Sequence, residues 1–138
     1  MRHVLIAEND PRHRDLIAFQ LRQHGFSVRL CADGRQVLAG VGDGNVAAVV
    51  LKEHPAAGMT GLQTCRQLRA DPRTADVPIL MVSDVTTEDE SVEAFDAGAD
   101  DWLAEPVHPH ELVIRLSGLL ARVRRHPGRY HEVRLPPG

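Results

Sequence analysis

Five short apolar runs, each followed by a stretch with helical periodicity, constrain the fold of this chain more than any other feature. They are HVLIA, SVRLCA, VAAVVL, VPILMV and DWLA, beginning at residues 3, 27, 46, 77 and 101. Runs without a polar face are typical of strands that are covered on both sides. Strands that alternate with helices predict a parallel sheet joined by right-handed crossovers. We therefore predict an α/β fold with a doubly wound, five-stranded parallel sheet and five helices.

The residues around the helical stretches predict where the helices begin and end. Asp10-Pro11 is typical of an N-cap and first helical residue, and Gly25 of the position after a helix. Thr86 or Thr87 is expected to cap a fourth helix with an acidic first turn, and a fifth helix is expected over 111–125. The Pro/Gly-rich remainder, HPGRYHEVRLPPG, lacks helical periodicity. We predict one domain over residues 1–125 and a linker or tail over 126–138.

Polar residues follow several of the predicted strands. In parallel α/β sheets, sites form at the carboxyl ends of the strands, near a topological switch point. The side chains expected to converge there are Glu8, Asn9, Asp10, Glu53, Ser83, Asp84 and Glu105. Strand alternation predicts that Lys52, the only lysine of the chain, points away from this pocket.

Four segments give the chain a resemblance to a known family: VLIAENDP, GMTGLQTCRQLR, VPILMVSD and AFDAGADDWLAEPVHPHELVIRL. Over residues 3 to 125 the chain resembles the receiver domain of bacterial response regulators, particularly the OmpR/PhoB group. The resemblance implies a flavodoxin-like (CheY-like) fold. It also implies phosphoryl transfer to an aspartate after the third strand. An acidic pair that holds Mg²⁺, a Ser or Thr and a lysine would assist, because a phosphoryl group needs a hard cation and a fixed positive donor.

Carrying these roles over shows where the chain departs from the family. The position of the acidic pair reads Glu8-Asn9, and Asp10 comes next in the chain. Glu8 keeps one acid of the pair, but Asn9 stands where the metal-binding aspartate is expected. Glu53 is the equivalent of the phosphoacceptor, and its extra methylene is expected to move the carboxylate outward, where in-line attack fails. Glu105 replaces the lysine.

Two further positions of the resemblance concern the conformational switch. Ser83 keeps the hydroxyl expected after the fourth strand, and Trp102 stands at the switch aromatic.

These departures leave three interpretations of the site. Glu53 mimics a phosphorylated acid and fixes an active-like state, or the pocket has decayed and its residues only satisfy each other. In the third, the acids Glu8, Asp10, Glu53, Asp84 and Glu105 bind a cation without phosphorylation. We assign no catalytic residue, no metal ligand and no cofactor, and we do not expect Mg²⁺ to bind or the chain to be an enzyme.

The predicted function is that of an atypical receiver, independent of phosphorylation, that signals through dimerisation or protein contacts. It would regulate transcription through an output domain outside this chain. A ligand-sensing pseudo-receiver and a conventional Mg²⁺-dependent, phospho-accepting receiver are the alternatives.

The resemblance also implies partners. A homodimer is expected through the face of helix four, strand five and helix five, with an Asp101–Arg115 pair across the dimer. The positions expected there are Asp100, Asp101, Glu111, Arg115 and Arg122. A protein partner or a small-molecule ligand is a further expectation. With a net charge of −3 and no helix-turn-helix of its own, the domain is not expected to bind nucleic acid. Without an apolar stretch of membrane-spanning length or a signal peptide, we expect it in the cytoplasm.

Overall fold

All five predicted strands and all five helices are present in the computed structural model, which describes residues 2–53, 58–84 and 87–125. The strands are β1 His3–Ala7, β2 Ser27–Cys31, β3 Val46–Lys52, β4 Ile79–Ser83 and β5 Asp101–Ala104. The helices are α1 Pro11–Gln23, α2 Gly34–Gly42, α3 Gly61–Ala70, α4 Glu88–Asp96 and α5 Pro109–Arg125. The predicted tail, 126–138, lies outside the described residues.

The five strands form one parallel sheet in the order β2-β1-β3-β4-β5. After β2 the chain crosses over β1 and places β3 on its other side, so the winding direction reverses between β1 and β3. The prediction of a doubly wound, five-stranded parallel sheet is confirmed. Its topological switch point lies at the carboxyl ends of β1 and β3, where such sheets place their sites.

Two apolar layers cover the two faces of the sheet. One contains Val49 and Leu51 of β3, and the other contains Ala48 and Val50 of the same strand. The first layer includes buried residues of α2, α3 and α4, and the second includes buried residues of α1 and α5. Because successive residues of a strand point to opposite faces, the side chains at the end of β3 enter different layers.

The helix ends follow the predicted signals. Asp10 caps α1, Gly25 follows that helix with a φ of +87°, and Thr87 caps α4. The fifth helix begins at Pro109, two residues before the predicted Glu111. Proline suits a first helical turn because its φ is fixed near the helical value and the missing N–H needs no partner there. Within the described ranges, no helix has the length and apolar character needed to cross a membrane.

Candidate functional site

The acids after β1 serve two different purposes. Asp10 accepts a hydrogen bond from the backbone N–H of Arg12 at 3.0 Å, and this bond lowers the pKa of Asp10. Its own N–H donates to Glu8 Oε2 at 3.3 Å. Glu8 is only 4% exposed, whereas Asn9 is half-buried. Asp10 is therefore committed to the N-terminus of α1, and Glu8 is the buried acid of this segment.

Glu53 follows β3 directly and is completely buried. The indole Nε1 of Trp102, on β5, donates to Glu53 Oε2 at 3.2 Å. Trp102 is half-buried and packs against the apolar layer that includes residues of α4. The carboxylate thus lies inside the fold, where the indole gives it a polar partner; the predicted displacement from the in-line position stays a prediction. Ser83, at the end of the intervening strand β4, is also completely buried.

The N-terminus of α3 holds the end of β3 in place. Gly61 donates its N–H to the carbonyl oxygen of Glu53 at 3.2 Å. A Cβ at position 61 would lie 2.7 Å from the carbonyl oxygen of Lys52 and 2.8 Å from the Cα of Glu53, so only glycine allows this approach. Thr60 and Gln63 form a capping box that fixes the same turn.

Lys52 lies on the other side of the strand from Glu53. Its Nζ donates to Glu105 Oε1 at 2.6 Å and lies 3.6 Å from Glu8 Oε1. Burial alone would lower the pKa of Lys52, but the hydrogen bond to Glu105 and the charge of Glu8 outweigh it and raise that pKa. The prediction that Lys52 points away from the pocket acids is wrong. Alternation does turn Lys52 away from Glu53, but Glu8 and Glu105 lie on the side to which it turns.

His13, which the sequence analysis did not single out, completes the group around Lys52. Its Nδ1 lies 3.5 Å from Glu105 Oε2 and 3.6 Å from both Glu8 Oε1 and Asp10 Oδ2. Its place three residues after the N-cap Asp10 could have indicated this, because residues at that spacing share a helix face. The expected single pocket is thus two groups: Glu53 with Trp102, and Lys52 with Glu8, Glu105 and His13.

Three of the five charged residues predicted for a dimer face, Asp100, Asp101 and Arg115, have partners within one chain. Asp100 Oδ2 accepts from Arg69 Nη2 at 3.0 Å and from the N–H of Ile79 at 2.8 Å. Arg115 Nη1 lies 3.2 Å from Asp101 Oδ2. The Asp101–Arg115 ion pair was expected between the two chains of a dimer, but in this structure it forms within a single chain.

The same face also carries exposed side chains. Glu111 and Arg122 of α5 are exposed. Val92 and Phe95 of α4 are 59% and 50% exposed, and Ile114 of α5 is 66% exposed. The face therefore offers apolar surface beside its charges.

The strand order β2-β1-β3-β4-β5, with acids directly after β1 and β3, is typical of a receiver domain. Residues 4–117 match the response regulator receiver domain family, and the chain belongs to that family. Its relatives include regulators of the OmpR/PhoB type, which confirms the predicted resemblance.

Two curated relatives and one solved structure illustrate the similarity. The DNA-binding dual master transcriptional regulator RpaA of Synechocystis sp. is 34% identical over 133 residues, which cover 92% of this chain and 52% of RpaA. The alkaline phosphatase synthesis transcriptional regulatory protein SphR of Synechococcus elongatus is 35% identical over an alignment of 148 positions, gaps included, which covers 97% of this chain and 57% of SphR. The chain thus spans about half the length of these relatives. The crystal structure of a putative response regulator from Chloroflexus aurantiacus J-10-fl superposes with a TM-score of 0.81 at 31% identity, covering 88% of this chain and 99% of that one.

Receiver domains usually bind Mg²⁺, so the residues after β1 can be compared with the needs of that ion. Ligand atoms of Glu8, His13 and Glu105 lie within 4.8 Å of one another. Mg²⁺ prefers an octahedron of oxygen ligands at about 2.0–2.1 Å. Here the ammonium of Lys52 already contacts two of these three side chains, and Asn9 brings no charge. The residues present do not fit Mg²⁺.

Proposed function

We propose that this chain is a receiver domain that signals without being phosphorylated. The observation that carries the proposal is the position of Glu53, the phosphoacceptor equivalent. Its carboxylate is completely buried, and one of its oxygens accepts a hydrogen bond from Trp102 at 3.2 Å. Phosphoryl transfer requires an accessible nucleophile in line with the donor, and small misplacements are costly. A carboxylate held inside the fold does not meet that requirement.

The surrounding charges support the same proposal. A phosphorylated receiver needs a cation and a fixed positive donor to balance the added charge. Glu105 stands where the family has a lysine, and Asn9 stands where it has a metal-binding aspartate. Because Lys52 is already paired with Glu105, the basic group of this site is committed to an acid of the chain itself.

Of the three interpretations of the pocket, we favour the one in which Glu53 fixes an active-like state. The hydrogen bond between Glu53 and Trp102 joins the acceptor position directly to the switch aromatic. In a conventional receiver, a phosphoryl group has to bias that aromatic. Here a carboxylate of the chain itself holds it in place.

The output that we propose is a homodimer through the face of α4, β5 and α5, called here the α4–α5 face. Val92, Phe95 and Ile114 are exposed apolar residues on its two helices, and Trp102 lies on the strand between them. Isolated surface ion pairs contribute little to stability, so the apolar side chains would supply most of the association energy.

We further propose that the chain is the regulatory part of a transcription regulator that acts in the cytoplasm. RpaA and SphR are named as transcriptional regulators, and the chain matches about half of each. DNA binding would belong to an output domain, and the linker would be residues 126–138. The chain itself would act as a signalling domain rather than as an enzyme.

Intact-mass spectrometry after incubation with acetyl phosphate and Mg²⁺ tests the proposal. We expect the natural protein to gain no phosphoryl adduct. The matched variant restores the family residues and removes the ammonium that would face the new lysine: Asn9→Asp, Glu53→Asp, Glu105→Lys and Lys52→Met. It is expected to gain one adduct, which shows that the assay detects a working receiver. An adduct on the natural protein would overturn the proposal.

A further inference from the structure

The group around Lys52 is a buried acidic cluster that contains its own cation. The side chains of Lys52, Glu105 and Glu8 are only 12%, 11% and 5% exposed. Buried charges are tolerated when they are paired and hydrogen-bonded, and both conditions hold for Lys52, whose Nζ contacts Glu105 at 2.6 Å and Glu8 at 3.6 Å.

The charges around this ammonium come from several elements. Glu8 follows β1, Glu105 follows β5 and Asp84 follows β4. Burial alone would lower the pKa of Lys52, but the hydrogen bond to Glu105 and the charges of Glu8 and Asp84 outweigh it and raise that pKa, which keeps the side chain protonated. Buried carboxylates are usually paired with a cation or bound to a metal, and here Lys52 of β3 supplies the positive charge for Glu105 and Glu8.

We propose that Lys52 is a resident cation that takes the place of the divalent metal ion in this site. An ammonium has three N–H donors, so it can bind two carboxylates at once. It also repels a dication brought to the same oxygens, because two positive charges a few ångströms apart strongly disfavour each other in a partly buried site. This inference rests on the proposed function, since it explains how the site keeps its shape without metal and phosphate.

Metal titration of Lys52→Met tests the inference, with Lys52→Arg as the control that keeps the charge. Mn²⁺ binding is measured by calorimetry and by electron paramagnetic resonance. We expect the natural protein and Lys52→Arg to show no saturable binding at millimolar Mn²⁺. Lys52→Met is expected to bind one Mn²⁺ ion at least about tenfold more tightly than the natural protein does, because the repelling charge is gone and the acids remain. Lys52→Met with Glu8→Gln and Glu105→Gln should lose that site.

Thermal unfolding gives a second measurement on the same proteins. The midpoint of Lys52→Met should be lower than that of the natural protein without metal and should rise with added Mn²⁺, because the ion binds only the folded state. The midpoint of the natural protein should not respond. If Lys52→Met folds only with Mn²⁺ present, that result also supports the inference.

Two results would overturn it: saturable Mn²⁺ binding by the natural protein, or no gain of binding by folded Lys52→Met. Either result can occur while the natural protein still gains no phosphoryl adduct, in which case the proposed function stands and only the role of Lys52 is lost. An adduct on the natural protein would instead remove the proposed function.

Discussion

At the end of β3, two neighbouring acid and base side chains turn in opposite directions and meet different partners. Glu53 turns toward Trp102, and Lys52 turns toward Glu105 and Glu8. Under the proposed function, each contact takes the place of something that phosphorylation would require: an accessible acceptor in the first case and a free positive donor in the second. The residue types alone do not predict these partners, because by type the carboxylate of Glu53 and the ammonium of Lys52 could equally have paired with each other.

The first prediction concerns Trp102→Phe, which removes the N–H donor but keeps an aromatic ring. We expect the free energy of unfolding to fall by about 1–3 kcal/mol, because the buried Glu53 carboxylate loses a donor. Urea denaturation followed by far-UV circular dichroism measures this change. Trp102 is the only tryptophan of the chain, so its fluorescence cannot serve as the probe.

Phenylalanine is smaller than tryptophan, so Trp102→Phe also removes packing contacts. Glu53→Gln is the control that separates this loss of packing from the loss of the hydrogen bond. In the Glu53→Gln background the same Trp102→Phe change should cost less, because a neutral amide loses less than a charged carboxylate when its donor is removed. Equal costs in the two backgrounds would assign the loss to packing and contradict a role for the hydrogen bond.

At the scale of elements, the contact of α3 with the end of β3 positions both halves of the site. Gly61 donates to the carbonyl of Glu53, and its missing Cβ allows the helix to approach the backbone of Lys52. The capping box of Thr60 and Gln63 fixes the turn at which this approach occurs. The backbone that carries Lys52 and Glu53 is therefore set by a helix that supplies neither side chain.

Gly61→Ala is predicted to destabilise the domain by about 1–3 kcal/mol, since the added methyl group meets backbone atoms that cannot move independently. Gly118→Ala is the matched control, because position 118 lies on the exposed face of α5 with nothing within 4 Å of a new Cβ. It should instead stabilise by up to about 1 kcal/mol through helix propensity. Thermal or urea unfolding compares the two, and a neutral Gly61→Ala would show that α3 does not constrain β3.

The elements were predictable and the contacts within the site were not, for a physical reason. Apolar runs and caps such as Asp10 and Thr87 act over a few residues, so periodicity reveals them directly. The bond between Lys52 and Glu105 joins residues 53 positions apart, and that between Glu53 and Trp102 joins residues 49 apart. The family resemblance placed these residues at one edge of the sheet. Only the lengths of the side chains and the space between the layers determine which of them pair.

At the scale of the whole molecule, most of the exposed large apolar residues in the described part of the chain lie on two faces, and only Leu30 of β2, 37% exposed, lies apart from both. Val92, Phe95 and Ile114 belong to the α4–α5 face, whereas Leu16 and Phe19 lie on α1. The proposed dimer uses only the first group. The two faces therefore provide an internal comparison, because their most exposed phenylalanines, Phe95 and Phe19, are 50% and 55% exposed.

We predict that Phe95→Arg weakens self-association by at least about tenfold, or ~1.4 kcal/mol, because a charge replaces apolar contact area at the α4–α5 face. Sedimentation velocity over a concentration series measures the dissociation constant. Phe19→Arg, the same change on α1, should leave it unaltered. A natural protein that stays monomeric throughout the series, or an equal effect of Phe19→Arg, would contradict the proposed interface.

The location of Lys52 has a practical consequence for detecting any such assembly. Lys52 is the only lysine of the chain, and its amine is paired with Glu105 and almost covered. Reagents that cross-link lysine side chains therefore have no free lysine to join on the α4–α5 face, even when two copies are bound there. A missing cross-linked band on a gel would be uninformative, whereas carboxylate-directed coupling through Glu111 or a cysteine introduced on α4 would report the assembly directly.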